Sequence, residues 1–312
     1  MNETEKKYRL VTRSDFDGLV CAMLLKELDM IDNILFVHPK DMQDGLIEIG
    51  PGDITTNLPY VEGVHLAFDH HLSETVRLRG PRDNHIIHPY APSAARVLYN
   101  HYGGAENFPD FPRDMMAAVD KSDAAQMSRE EILHPEGWVL MSYIMDPRTG
   151  LGRFHDFRIS NYDLMMELID YCRDNPVEKV LELPDVRERV ELYRELHEKF
   201  LEQLGRCSEI RENCVILDLQ DEETIYPGNR FEIYALYPEV NISVHVIWGK
   251  ERQNTVLAVG HSIVNRSSNT NVGRLMLEYG GGGHLKAGTC QVPNEEADEI
   301  LEEIVSRLNE DG

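Results

Sequence analysis

Basic residues, tryptophan and cysteine are scarce in this chain, and no long apolar run occurs in it. Lys and Arg number 31 against 55 Asp and Glu, a formal net charge of −24. Such a surface repels a long polyanion over most of its extent, which argues against a dedicated binder of duplex DNA. It leaves room for a short phosphorylated ligand held beside a cation in a locally positive pocket. With no run of about 18 apolar residues, no helix is expected to cross a bilayer, and no membrane partner is expected. The opening Met1-Asn2-Glu3-Thr4-Glu5 is polar and has no apolar signal core, so a cytoplasmic protein is expected. The five cysteines, Cys21, Cys172, Cys207, Cys214 and Cys290, are odd in number, and no two are spaced as a metal knuckle or a redox pair. They read as reduced, mostly buried thiols.

What is present is enough apolar material for a core: 42% of 312 residues, a length that suits two domains. Residues 8–12, 34–37, 54–56 and 64–68 read as strands. Residues 19–28, 93–101 and 114–119 carry apolar side chains at helical spacing. Strands alternating with helices predict an α/β domain with a mostly parallel sheet. Residues 161–204 follow a helical pattern, and 186–204 form a long charged amphipathic stretch that predicts a solvated helix joining two lobes. After it, residues 214–219, 233–237, 242–248 and 255–262 read as strands, 272–279 as a helix and 295–308 as a closing helix. The expected division is a first domain over 1–195, linker helix included, and a smaller α/β domain over 196–312.

Three polar clusters stand just past apolar runs: Asp15-x-Asp17, Asp69-His70-His71, and Asp120 with Asp123. In a parallel sheet those are the carboxyl ends of strands, where open α/β folds bind ligands. Carboxylates and imidazoles crowded at one sheet edge repel each other unless a cation joins them. An oxygen and imidazole donor set suits Mn²⁺, Mg²⁺ or Fe²⁺ better than a thiol-seeking metal.

Ser14-Asp15-Phe16-Asp17-Gly18, followed by Phe68-Asp69-His70-His71, resembles the signature of the DHH superfamily of phosphoesterases. Gly280-Gly281-Gly282-Gly283-His284, with Ala287-Gly288, resembles the glycine-rich motif of the DHH-associated C-terminal domain. The two motifs stand in family order and cover nearly the whole chain. Within that superfamily the chain most resembles the exopolyphosphatase-related and oligoribonuclease-like subgroup. The resemblance implies a parallel-sheet DHH domain joined by a long helix to a smaller α/β DHH-associated domain. By position it implies metal ligands at Asp15, Asp17, His70 and Asp120, and at Asn57 or Asp53 from the second motif. His71 would face the substrate phosphate, and Asp69 would orient the imidazoles from behind. Arg266 and the run Gly281, Gly282, Gly283 and His284 would grip the substrate, since glycines let backbone N–H groups approach an anion closely. Ser93-Ala94-Ala95 resembles the family's small-residue stretch beside the site. His38 and Lys40, past the second strand, would lie near the same edge.

The chain departs from the family pattern at two places. Arg13 stands where relatives carry a histidine, and arginine is itself a permanent cation that ligates none. At the second motif Asn57 ends its strand on the ligand-bearing side, whereas Asp53 begins it; Asn57 is favoured. His to Arg adds a positive charge, and Asp to Asn removes a negative one. The two changes are therefore consistent with Arg13 replacing one of two ions, leaving one cation at Asp17, His70 and Asp120, with Arg13 free to clamp a phosphate. The expected function is metal-dependent hydrolysis, Mn²⁺ first and Mg²⁺ second, of a phosphodiester or phosphoanhydride bond. The substrate would be short: an oligonucleotide, a linear or cyclic dinucleotide, a bisphosphate nucleotide or a polyphosphate. The alternative is a nucleotide-binding regulatory protein of the same fold with weakened chemistry. Relatives imply a homo-oligomer, a dimer in the common case.

Overall fold

The computed structural model describes residues 7–312 except Arg79 and His155, and for Leu72, Ser73, Val76 and His284 it describes the backbone alone. In chain order the elements are β1 (Tyr8–Arg13), α1 (Phe16–Glu27), β2 (Ile31–Val37), α2 (Pro39–Gln43), β3 (Asp53–Thr56), β4 (Leu66–Asp69), α3 (Leu72–Arg77), β5 (His85–Ile87), α4 (Ala94–His101), α5 (Arg113–Asp123), α6 (Arg129–Leu133), α7 (Gly137–Met145), α8 (Asn161–Asp174), α9 (Val177–Leu181) and α10 (Pro184–Cys207). There follow β6 (Ser208–Arg211), β7 (Cys214–Asp218), α11 (Glu232–Leu236), β8 (Ile242–Trp248), β9 (Thr255–His261), α12 (Val272–Glu278), β10 (Gly282–His284), β11 (Ala287–Val292) and α13 (Ala297–Asp311). The chain divides into two compact units. One holds the described residues up to Gln126 together with Pro135–Glu191; the other holds Met127–His134 and Leu192–Gly312.

The first unit is built on a five-stranded sheet in the order β2-β1-β3-β4-β5, every pair parallel. The chain runs from β1 to β2 on one side and then crosses to β3 on the other. The carboxyl ends of β1 and β3 therefore flank a topological switch point, the crevice where doubly wound sheets bind ligands. Thr12 and Thr56 close the two strands there: Thr56 Oγ1 donates to Thr12 Oγ1 at 2.7 Å, and Thr12 Oγ1 donates to the Thr56 carbonyl at 3.1 Å. Helix α1 is buried on all sides from Phe16 to Leu25, as an apolar helix must be when it is packed among α4, α5, α7 and α8. That burial fixes the position of its first turn, which carries Asp15 and Asp17.

In the second unit the sheet order is β10-β11-β9-β8-β7-β6, with only β7 and β8 parallel. Strand β7 shows the period of two: Cys214 and Ile216 face the core formed with α12 and α13, and Val215 and Leu217 face the core formed with α10 and α11. Residues 233–237, expected as a strand, are helical as far as Leu236, with Tyr237 as the C-cap. A short apolar run does not by itself distinguish strand from helix. The parallel β7–β8 pair decides it, because such a pair needs a crossover element lying on a face of the sheet. Helix α11 is that element, burying Ile233 and Tyr234 against Val215 and Leu217. The glycine run turns the chain from a helix into an edge strand. Gly280 (φ 74°) closes α12, with Gly281 N donating to the Met276 carbonyl at 2.9 Å and Gly280 N to Leu277 at 3.2 Å, and Gly282 then starts the edge strand β10. A Cβ on Gly281 would meet the Thr289 carbonyl oxygen at 2.2 Å. Among the described residues no helix is long and apolar enough to cross a membrane.

Candidate metal centre

Asp15 leaves β1 as the N-cap of α1, its carboxylate accepting from Gly18 N at 3.0 Å. Gly18 has to be glycine: a Cβ there would stand 1.9 Å from the Arg13 carbonyl oxygen. Two residues past Asp15, Asp17 is buried and accepts from Ala94 N at 3.0 Å and Ala95 N at 2.8 Å, the free N–H groups at the start of α4. The predicted Ser93-Ala94-Ala95 stretch thus serves Asp17 by its main chain. Ser93 caps α4 by accepting from Arg96 N at 3.0 Å.

Strand β4 ends in Asp69-His70-His71. Asp69 is fully buried. One of its oxygens accepts from His70 N at 2.8 Å and from His71 Nδ1 at 2.6 Å, so it orients His71. His70 is oriented by a main-chain group: its Nδ1 lies 3.2 Å from the Ala91 carbonyl oxygen. A carbonyl only accepts, so Nδ1 carries a proton and Nε2 is the nitrogen left to ligate a cation, which would displace the Nε2 proton. That Nε2 lies 2.9 Å from Asp123 Oδ2, yet no hydrogen bond of good geometry satisfies it.

Asp17, His70 and Asp123 can each offer one ligand atom such that all lie within 4.8 Å of one another. Asp120 is elsewhere. It accepts from Ser93 Oγ at 2.7 Å and from Arg96 Nε at 2.9 Å, both presented by α4. Asp123 is one turn further along α5 on nearly the same face, and it is Asp123, not the expected Asp120, that meets His70. Asp123 ends α5, where the helix dipole opposes a negative charge.

The electrostatics show the strain of this crowding. Burial, and then repulsion from Asp123, pushes Asp17 up to about 8. Burial works against ionisation of Asp123 as well, but the His70 contact outweighs it and holds Asp123 below the usual carboxylate range. Burial likewise disfavours the His70 imidazolium, and the surrounding carboxylates, Asp123 first, overcome it and raise the group to about 10. Asp17 is buried and His70 and Asp123 are half-buried, and a hard divalent cation among two carboxylate oxygens and one imidazole nitrogen would let both carboxylates ionise together. The residues fit such an ion.

The two departures from the family pattern meet on one carboxylate. Arg13 Nε lies 3.0 Å from Asp15 Oδ2, and Asn57 Nδ2 lies 3.3 and 3.4 Å from the two Asp15 oxygens. Asn57 adopts φ 55°, a left-handed conformation that Asn tolerates well. Asp53 is at the other end of β3, paired with Arg9 through a 2.7 Å contact, away from Asp15. His38 caps the exposed start of α2, accepting from Lys40 N, and Lys40 pairs with Asp44. In the second unit Arg266 Nε donates to the Ile263 carbonyl at 3.0 Å, and Gly282 and Gly283 pair with Thr289 and Gly288. The side chain of His284 lies outside the described residues.

Arg148 was missed by sequence reasoning. It sits in the turn Pro147–Thr149, its Nε donates to the two Asp146 carboxylate oxygens at 2.8 and 2.9 Å, and it is close enough for its charge to act on Asp15 and Asp123. No motif marks it; only the return of the chain after α7 brings it near.

No family model matches the chain, and neither does any curated protein. Among solved structures it is similar to a pGpG-specific phosphodiesterase, PggH, of Vibrio cholerae: 57% identity over 98% of this chain and 100% of that one, with a TM-score of 0.83. Two distant likenesses bear on the fold alone. One is a DHH domain described as a member of the s1p family of ribosomal proteins, at 13% identity over 98% of this chain and 87% of that one, with a TM-score of 0.56. The other is RecJ of Thermus thermophilus in complex with Mn²⁺, at 14% identity over 97% of this chain and 52% of that one, with a TM-score of 0.57.

Proposed function

The chain belongs to the DHH superfamily of phosphoesterases, and from that premise we propose that it hydrolyses the phosphodiester bond of a short linear dinucleotide of the pGpG type with one divalent cation, Mn²⁺ foremost. The observation that carries this reading is the Asp17, His70 and Asp123 donor set at the switch point of a parallel sheet, in a chain 57% identical to a phosphodiesterase of that specificity. A cation held there would polarise the phosphoryl oxygen and lower the pKa of a bound water.

The chain's own residues supply the rest. Asp17 is aimed by the N–H groups of α4, and His70 by the Ala91 carbonyl. Asp69 keeps the Nδ1 proton of His71 in place, which leaves His71 Nε2 to face the phosphate. Arg13 offers a guanidinium with five N–H donors, of which Nε is engaged by Asp15; the others suit a phosphate, and in this reading Arg13 stands in for a second ion. Arg266 and the Gly281–Gly283 edge belong to the reading as phosphate-gripping groups of the second unit.

The test compares Asp123→Asn with Asp120→Asn. Asp123→Asn is expected to weaken Mn²⁺ binding by about a hundredfold or more, beyond the usual effect of removing an outer partner, and to abolish pGpG hydrolysis. Asp120→Asn should keep metal affinity within a few-fold. Equal Mn²⁺ affinity in the native chain and Asp123→Asn would remove the metal assignment. Tight pGpG binding by the native chain without turnover would return the protein to the regulatory alternative.

A further inference from the structure

The turn His88–Ala91 carries Tyr90 at its tip. Ala91 N donates to the His88 carbonyl at 2.8 Å, which closes the turn, and Pro89 and Pro92 restrict the backbone on both sides of its tip. The turn is tied to the candidate centre at three places. His88 N donates to the Asp69 carbonyl at 3.1 Å. The Ala91 carbonyl faces His70 Nδ1 at 3.2 Å. Ser93, two residues on, opens the helix whose first N–H groups hold Asp17. A backbone so fixed holds the Tyr90 main chain in a defined place, next in sequence to the residue that orients His70.

The Tyr90 side chain is 96% exposed. The ring covers no part of the core, so folding gains almost nothing from an aromatic residue here. Tyr offers a flat π-face and only two rotatable side-chain bonds, so ordering it against a ligand costs little entropy. One peptide unit, about 3.8 Å between Cα atoms, separates Tyr90 from the residue that positions His70. A phosphate brought to Asp17, His70 and Asp123 by a bound cation would carry its nucleoside to the sheet edge from which this turn rises.

We propose that Tyr90 is the stacking platform for one guanine of the substrate, a specificity-determining residue that acts on the base while the acidic centre acts on the phosphate. The assignment rests on the dinucleotide reading above. It makes the base, and not the phosphate alone, part of what the first unit recognises. The phenol oxygen is not needed for this, because base–aromatic stacking uses the ring face.

The experiment measures kcat and KM in Mn²⁺ for the native chain, Tyr90→Phe and Tyr90→Ala. The substrates are pGpG and two analogues, each with one guanine replaced by hydrogen. Tyr90→Ala is expected to raise KM for pGpG about tenfold or more, the scale of losing one stacked base, with kcat changed less than twofold. Tyr90→Phe should stay within about twofold of native. The advantage of pGpG over one of the two analogues should collapse in Tyr90→Ala. A native KM in Tyr90→Ala overturns the stacking role while pGpG turnover by the native chain upholds the function, and would leave the ring to contact a protein instead. An equal penalty on pGpG and both analogues also overturns it, since the contact would then be to phosphate or ribose. A native chain that turns over neither pGpG nor the analogues overturns the function and this assignment with it.

Discussion

Arg13 and Asn57 act on one group, because both touch Asp15. A lone Asn57→Asp would set a second carboxylate about where Nδ2 now lies, against Asp15, with only Arg13 to offset the repulsion. A lone Arg13→His would remove the cation that now pairs with Asp15 and leave no bridging carboxylate. The left-handed backbone at residue 57 suits Asp nearly as well as Asn, so the side chain changes without new strain. The native chain is expected to hold about one Mn²⁺. The double variant should hold nearer two, with a gain larger than the sum of the single changes, because residues sharing a partner are not additive. Elemental analysis of dialysed protein reads both stoichiometries. Two tightly held ions in the native chain would contradict the replacement.

At the scale of elements, the second unit joins α10 to α11 through a buried carboxylate. Glu232 is fully buried, with His197 Nε2 at 2.7 Å and Tyr193 Oη donating at 3.1 Å. The hydrogen bond to Glu232 raises His197 above its ordinary value in spite of partial burial. A raised folded-state value means that the imidazolium stabilises the fold below the unfolded value of about 6.5, and that this contribution is lost as pH rises through the folded value. Urea midpoints of the second unit should therefore fall between pH 6 and pH 9, and His197→Gln should flatten that slope. His197→Ala, which leaves Glu232 short of a partner, should cost about 1–3 kcal/mol at pH 6. An unchanged pH slope in His197→Gln would place the titrating group elsewhere.

Elements also set how much of the site could be read in advance. Asp15, Asp17, Asp69, His70 and His71 follow strands directly, so the sheet alone brings them to one edge, and their placement was legible. Asp120 and Asp123 are one helical turn apart. The choice between them depends on Arg96 and Ser93 of α4, whose packing no local pattern reveals. The group that orients His70 is the main-chain carbonyl of Ala91, invisible to any reading of side chains. Residues 233–237 were misread because an apolar run of five fits strand and helix alike, until the parallel β7–β8 pair demands a crossover.

For the molecule as a whole, a formal charge of −24 makes self-repulsion a standing cost, and a divalent cation bound at Asp17, His70 and Asp123 should be felt as added stability. A ligand that binds only the folded state stabilises it by RT ln(1 + [L]/Kd), about 2.7 kcal/mol at a hundredfold excess over Kd. For a unit of this size each kcal/mol moves Tm by about 2–4 °C, so Mn²⁺ should raise it by about 5–11 °C. The chain's two tryptophans allow the effect to be assigned. Trp138 lies in α7 of the first unit, its Nε1 donating to Asp114 at 2.8 Å, and Trp248 lies in β8 of the second, its Nε1 donating to the Gln220 carbonyl at 2.8 Å. In Trp248→Phe the remaining fluorescence reports the unit that contains Asp17, His70 and Asp123, and its melting midpoint should rise by that amount in Mn²⁺. In Trp138→Phe the signal comes from Trp248, whose transition should move less, because Asp17, His70 and Asp123 all belong to the other unit. Adding Asp123→Asn to Trp248→Phe should cancel the Mn²⁺ shift, since the ion then has no complete donor set. A Trp138 transition that stays fixed in saturating Mn²⁺ would mean that the cation does not bind in the first unit.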